Sequence, residues 1–178
     1  MEAHPGAQRQ AITPDAFAAF YDGAFPDVYR YLARAVFGDR AVAEDLTQET
    51  FTSVVTTIRA GRPVSLTMPW IMGVARHKLV DHYRSNAREQ RHLALAWSSG
   101  VGRDDEQADD LFDVDPGRLN ELMRDLSPDH RMVLVLKYLD ELSVDQIATE
   151  IGRSVHATES LLARARRALT HSHQERQP

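Results

Sequence analysis

His77, Asp81 and His82 stand close together in the chain, and His171 and His173 form a second pair near its end. Imidazoles and carboxylates grouped in this way can hold a divalent metal or pass protons. The spacing is poor for a metal. On a helix, positions 77 and 82 lie about 140° apart, too far round to share one ion. The chain has no cysteine, which removes thiolate catalysis, cysteine-ligated zinc and disulfides. It also has no glycine-rich phosphate loop, nucleophile elbow or HExxH pattern. An enzyme built on histidines and carboxylates is therefore weakly supported, no cofactor is expected, and the tail pair is expected to be disordered. What remains is noncovalent chemistry.

The stretch PWIMGVARHKLVDHYRSNAREQR, Pro69 to Arg91, offers it. At helical pitch Ile71, Ala75, Leu79 and Tyr83 share one arc, while His77, Asp81, Arg84 and Arg88 share the opposite one. Lys78 lies beside the polar stripe and Trp70 stands at its head. One face can be a core seam. The other presents cations, rings and hydrogen-bonding groups on a rigid rod. This suits a nucleic-acid strand with unstacked bases, because cations track phosphates and aromatic faces accept bases. A solvated basic face on an ordinary surface helix has the same letters.

The elements that must position this rod are helical. Thr13 before Pro14 is an N-cap with proline at the first helical position. Phe17, Phe20, Tyr21, Val28, Tyr29, Leu32 and Val36 then recur at helical spacing, with Pro26 expected to kink or interrupt the run and Gly38 to end it. Asp39 caps a second helix, about Arg40 to Arg59, carrying two stripes of the same spacing. Phe51, Val54, Val55 and Ile58 form an apolar seam, and Asp45, Gln48, Glu49 and Thr52 form a row of acceptors beside it. Such a row can dock a basic partner helix in fixed register, or can simply be wet. Ala60 to Met68 is a loop, broken by Gly61, Pro63 and Ser65.

Past Leu93 the periodicity fades. Ser98 to Arg118 holds seven acids and two bases, so it carries a charge equal to the net −5 of the whole chain, and the rest sums to zero. The bases cluster at Arg76 to Arg91 and Arg153 to Arg176. The acidic stretch is a self-repelling, flexible linker. Beyond it, a short helix opens at Pro116 and ends near Asp125. Ser127-Pro128 caps another that packs through Met132, Val133, Leu136 and Tyr138, followed by a turn from Leu139 to Leu142. Ser143 with Gln146 makes a capping box; the helix it opens ends at Gly152, and Ser154 caps a longer one to about Leu169. Two helices joined by a short glycine-bearing turn describe a helix-turn-helix, in which the second helix enters the major groove.

With 178 residues, 43% of them hydrophobic, a core is within reach. The polar start Met1 to Gln10 does not resemble a signal peptide, and no apolar run reaches membrane length, so a cytoplasmic protein without membrane insertion is expected.

Taken in order, these motifs resemble a bacterial sigma factor of the extracytoplasmic-function group, within the sigma-70 family. AEDLTQETF (Ala43 to Phe51) is similar to the family's AEDLvQEvF signature. PWIMGVARHKLVDHYRS is similar to its WLyrIArNlaiDylR helix, and LSPDHRMVLVLKYLDELSVDQIATEIGRS to the run leading into its minus-thirty-five reader. The match spans about Phe17 to Leu169.

The resemblance implies an all-α fold of two small helical domains, 13–92 and 119–172, joined by the acidic linker 93–118. It implies core RNA polymerase (clamp and flap) and promoter DNA as partners, with an anti-sigma factor usual in the family. It places polymerase binding on Asp45, Gln48, Glu49 and Thr52. The minus-ten element falls to Arg62, Trp70, Arg76, His77, Lys78, Arg84 and Arg88, with the loop 60–68 capturing a flipped base. The minus-thirty-five element falls to Arg153, Ser154, His156, Ser160, Arg164 and Arg167. The linker is expected to enter the polymerase cleft.

There are departures. His77 stands where the family often has asparagine. Ala157, Thr158, Glu159 and Leu161 replace threonine, valine, lysine and arginine in the recognition helix, where Glu159 would repel phosphate and Leu161 could not bond it. A stand-alone helix-turn-helix regulator would account for residues 127 to 169 but would leave the acceptor row and the helix at 69–91 unused. It would also bind duplex operator tightly without polymerase, which a sigma factor would not.

Overall fold

In the computed structural model, residues 12–94 and 116–175 are described, and all their regular structure is helical. The first half holds α1 (Pro14–Ala35), α2 (Arg40–Arg59) and α3 (Met68–Ala94). The second holds α4 (Pro116–Asp125), α5 (Pro128–Leu134, continuing as a π-helical turn over Val135–Leu139), α6 (Val144–Ile151) and α7 (Val155–Glu175). The acidic stretch from 95 to 115 lies outside the described residues.

Local chemistry sets most of the boundaries. Thr13 Oγ1 accepts from the Ala16 N–H at 3.2 Å, Asp39 Oδ1 from Val42 at 3.1 Å and Ser127 Oγ from His130 at 3.3 Å. Ser143 and Gln146 form both bonds of a capping box. Gly38 and Gly152 leave α1 and α6 at positive φ, +75° and +63°.

Two expectations are corrected. Pro26 does not interrupt α1, which runs unbroken from Pro14 to Ala35. Its ring is exposed, and the carbonyl it cannot serve belongs to the exposed Asp22, where water can serve it. The opposite face buries Ala24, Val28, Leu32 and Ala35, which offsets the lost hydrogen bond. Similarly, α7 does not stop near Leu169. It continues to Glu175 and carries His171 and His173 as helical residues. No glycine or proline follows Leu169 to stop it until Pro178.

α3 is the helix around which both halves pack. Ile71, Ala75, Leu79 and Tyr83 are buried, as their shared arc implied, and so are Val80 and Ala87. α3 lies against α1 and α2 on one side and against α5 and α6 on the other. One continuous apolar core results, running from Val28, Leu32 and Phe51 through Leu79 and Tyr83 to Leu122, Met132, Leu136, Ile147 and Leu162. The two halves are therefore docked, which the picture of tethered modules did not supply. In α2 the buried Thr47 and Thr50 place their hydroxyls on the carbonyls of Ala43 and Leu46, both at 2.7 Å, so two polar side chains enter the core satisfied.

Two histidines are folded into this packing. His82 is half-buried beside Asn86 and edge-on to Tyr83. Burial, then the nearby Arg131 charge, hold its pKa below the usual 6.5. His130 is lowered likewise, by burial and then by Arg164. The unfolded chain therefore takes up protons near 6.5 while the folded chain resists them, so stability present above that pH is lost as pH falls through it. The melting temperature is expected to fall between about pH 7.5 and about pH 5.5. A His82→Gln, His130→Gln double variant should show a flatter profile by calorimetry.

Candidate polymerase and nucleic-acid interface

The acceptor row of α2 is presented as its spacing implied. Asp45, Gln48, Glu49 and Thr52 are all exposed, because Ala43, Leu46, Thr47, Thr50, Phe51 and Val54 take the opposite face into the core. With Ser53, Thr56 and Lys78 the row lines a shallow recess of about 590 Å³. Lys78 belongs to α3 but leans to this recess, its Nζ 3.6 Å from Glu49. The pair is partly exposed and adds little stability. The recess is thus a rigid line of oxygen acceptors with one cation on its rim.

The cations assigned to α3 are not displayed as one free stripe. Arg62 stands exposed on the loop before the helix and Arg88 is exposed near its end. Trp70 is half-buried, packed on the edge of the core. The middle of the stripe faces the second half. Arg76 donates from Nε to Asp140 at 3.1 Å, and Asp140 also accepts from the Tyr31 hydroxyl at 3.1 Å. Burial is the strongest single influence on the Arg76 pKa and lowers it, but the hydrogen bond and charge of Asp140, with the charges of Tyr31 and Glu150, together raise it above its ordinary value. Burial, followed by the Asp140 charge, pushes the Tyr31 hydroxyl well above its ordinary range, so it stays a donor. His77 is largely exposed, yet its Nδ1 lies 2.5 Å from Glu150 Oε1. That contact is close without being aligned as a hydrogen bond. Arg84 donates to the Glu150 carbonyl at 3.1 Å and has Asp81 3.6 Å away.

The second helix of the helix-turn-helix, α7, shows its outer face. Ser154 caps it through the Ala157 N–H at 3.2 Å. His156, Ser160 and Arg164 are exposed, with Glu159 among them. Arg164 and Arg167 each return a bond to the carbonyl four residues back, both at 3.3 Å. Arg153 is held by Asp129 of α5 at 3.2 Å, so it braces the turn before α7. Leu161 is 3% exposed, within the core with Leu162 and Ala165. Its aliphatic side chain is a packing residue, and it forfeits no phosphate contact.

Several residues that organise this surface were not singled out in the sequence: Tyr31, Asp140, Glu150, Arg124 and Arg131. Arg124 donates to the Phe37 carbonyl at 2.9 Å, and the Arg131 guanidinium lies 5.9 Å from the Tyr83 ring centroid. All act across the halves, so periodicity within one element could not reveal them.

Comparison with known proteins fits this geometry. Residues 21–89 match sigma-70 region 2 and residues 117–169 match sigma-70 region 4. The chain is 32% identical over 157 residues to the ECF RNA polymerase sigma factor SigC of Mycobacterium tuberculosis, covering 86% of this chain and 81% of that protein. It is 31% identical over 166 residues to the ECF RNA polymerase sigma factor BldN of Streptomyces coelicolor, covering 90% of this chain but only 61% of that longer protein. Among solved structures it shares its fold with the sigma factor RpoE of Bartonella quintana, seen in complex with the anti-sigma factor NepR. The TM-score is 0.53 at 19% identity, over 90% of this chain and 98% of that one. With two matched regions in the family's order and relatives that run nearly its length, the chain belongs to the sigma-70 family of RNA polymerase sigma factors, in its extracytoplasmic-function group.

Proposed function

We propose that the chain directs promoter-specific initiation by bacterial core RNA polymerase, in the cytoplasm, and does no chemistry of its own. The observation that carries this reading is the exposed acid–amide–acid row on α2, inside the region 2 match. It is a rigid set of acceptors whose ion pairing among the described residues is one loose contact, Glu49 with Lys78. Asp45, Gln48, Glu49 and Thr52 bind a basic helix of the polymerase clamp, where fixed oxygens meet arginine forks in register. α3 binds the opened minus-ten strand. Arg62, Arg76, His77, Arg84 and Arg88 meet its phosphates, Trp70 with the loop from 60 to 67 holds an unstacked base, and Lys78 serves the edge shared with the polymerase. Unstacking costs a few kcal/mol, which cations and a ring must offset. α7 enters the minus-thirty-five major groove through Ser154, His156, Ser160, Arg164 and Arg167, with Arg153 bracing its start. The polymerase flap positions this half.

The acidic residues Asp104 to Asp115 line the path through the positively charged polymerase cleft. They lie outside the described residues, so the proposal rests on their charge alone. An anti-sigma factor is the regulatory partner. The groove of about 940 Å³ between α1, α4, α5 and α7, apolar within and edged by Arg30, Arg34 and Arg166, suits an acidic amphipathic helix of such a protein. Among the described residues no helix is long and apolar enough to cross a membrane.

Run-off transcription with purified core polymerase on host promoters tests the whole reading; no promoter-dependent product on any of them would overturn it. Asp45→Arg with Glu49→Arg should lower affinity for core polymerase by about 100-fold or more, since like charges then face each other, while the helical circular dichroism is unchanged. Undiminished co-purification would reject the α2 assignment. Arg62→Glu with Arg88→Glu should impair open-complex formation, followed by permanganate reactivity, far more than it impairs binding to core enzyme. Equal loss of both would reject the division of labour.

A further inference from the structure

We infer, resting on the reading of α7 as the helix that enters the minus-thirty-five major groove, that Glu159 is a base reader: it selects a cytosine in that element by accepting a hydrogen bond from the N4 amine.

The core fixes which way α7 faces. The helix packs on α4, α5 and α6 and buries Thr158, Leu161, Leu162, Ala165 and Leu169. The Thr158 hydroxyl donates to the Ser154 carbonyl at 3.0 Å, so this buried polar group is satisfied. Val155, His156, Glu159, Ser160, Ala163 and Arg164 are left exposed. Turning any of them inward would open the core.

The exposed face divides into two arcs. Residues four apart on a helix lie only about 40° from one another. Val155, Glu159 and Ala163 therefore follow one arc, and His156, Ser160 and Arg164 the next. The second arc carries an imidazole, a hydroxyl and a guanidinium, all able to donate to phosphate. The first arc has no such donor. Two of its members end in methyl groups and the third is an anion. It cannot serve the DNA backbone, so a helix held to the backbone by its second arc turns the first toward the base edges.

Glu159 is free to make a base contact. Its neighbours four positions either way are Val155 and Ala163, so no cation stands at that pairing distance along the helix. Among the described residues no ion pair within 4 Å engages it, and His156, three positions before it, is no exception. Helical side chains lean toward the N-terminus of their helix, so the carboxylate leans over the turn of Val155 and His156. That end of a recognition helix is the one that meets base edges.

The choice of base follows from donors and acceptors. A carboxylate only accepts. In the major groove guanine shows it O6 and N7, and thymine shows it O4, all acceptors that repel it. Adenine has the N6 amine, but beside it stands N7, which faces the second carboxylate oxygen. Cytosine has the N4 amine with no acceptor of its own next to it. Phosphate repulsion acts on Glu159 at every sequence alike, and cytosine is where a donor best offsets it. The side chain thus lowers general affinity and raises discrimination. The methyl groups of Val155 and Ala163 on either side displace water, which strengthens the contact where it forms.

The test uses core polymerase loaded with the full chain. The probe is a host promoter active in run-off transcription, with its minus-thirty-five element randomised; bound DNA is recovered and sequenced. The wild-type chain should show a position where cytosine is enriched about tenfold over guanine or thymine. Glu159→Ala should erase that preference and leave the others. Glu159→Gln should move it to adenine, whose N6 and N7 suit an amide, and Glu159→Lys should move it to guanine. Because Glu159 is exposed, all three variants should keep their helical circular dichroism and their affinity for core polymerase. A base spectrum unchanged in all three overturns the inference. So does a gain spread evenly over every sequence, which reduces Glu159 to a repulsion of phosphate. Loss of core affinity in all three places Glu159 in a polymerase contact and also overturns it. A wild-type chain that initiates without regard to the randomised element refutes base reading by α7 but leaves the minus-ten role of α3 standing. No promoter-dependent product from the wild-type chain strikes the proposed function itself and takes this inference with it.

Discussion

The burial of one side of α3 is the constraint on which the rest depends. Ile71 and Ala75 are wholly removed from solvent, and Leu79 and Tyr83 nearly so. Burying a large apolar side chain contributes roughly 1.5–3 kcal/mol, so this seam alone accounts for a sizeable share of what holds three helices together. Tyr83 adds direction. Its hydroxyl donates to the Ala35 carbonyl at the end of α1, and its ring meets Arg131 of α5. Once this arc is fixed inward, the angular position of every other α3 residue follows. Trp70, Arg76, His77, Arg84 and Arg88 cannot be re-aimed without taking the core apart. A face that must meet a nucleic-acid strand at fixed spacing gains from such stiffness, because little ordering entropy remains to be lost on binding.

A chain of net charge −5 can still bind nucleic acid because its charges are segregated. The net negative charge resides in one stretch, while cations cluster on α3 and α7. Within the described residues some of those cations already have carboxylate neighbours, and these are of two kinds. Arg84 with Asp81 and Lys78 with Glu49 are loose pairs at 3.6 Å, open to water, worth about 0–1 kcal/mol and readily exchanged for phosphate. Arg76 with Asp140 is different in kind, since the carboxylate is nearly enclosed and the hydroxyl of Tyr31 shares it. Removing a single partner there strands a charge, which costs several kcal/mol when burial is complete and less here because Arg76 keeps some exposure.

Features governed by a few neighbouring residues were legible in the letters. The caps at Thr13, Asp39, Ser127, Ser143 and Ser154, the span of α2, the exit at Gly152 and the inward arc of α3 each depend on side chains three or four positions apart. Pro26 misled because its cost depends on which face it occupies and on what the opposite face buries. Leu161 misled because alignment to a pattern put it on the DNA side. Its own register with Thr158, Leu162, Ala165 and Leu169 put it in the core. The docking of the halves was not legible. Asp140 meets residues 64 and 109 positions earlier in the chain, and no period within a helix encodes such a meeting.

The docked interface also has a reciprocity that decides which of its contacts would part first. α1 ends in a left-handed corner at Phe37 and Gly38, and α6 ends in another at Gly152. In each case an arginine of the opposite half reaches a backbone carbonyl at that helix end: Arg124 donates to Phe37, and Arg84 to Glu150. A cation at a helix C-terminus contributes about 0.3–1 kcal/mol when exposed, and up to about 2 when partly buried. Both carbonyls lie where water could replace the guanidinium, so undocking exchanges one donor for another and leaves no orphan acceptor. Phe37 in particular, a non-glycine residue at φ +55°, sits in a conformation that costs on the order of 1–3 kcal/mol unless its surroundings hold it, and Arg124 is one of those surroundings. An interface made only of apolar contacts would have to expose them all on opening. One that also clamps two helix ends by arginine can loosen at its polar rim first, while the seam of α3 against α1 and α2 stays shut.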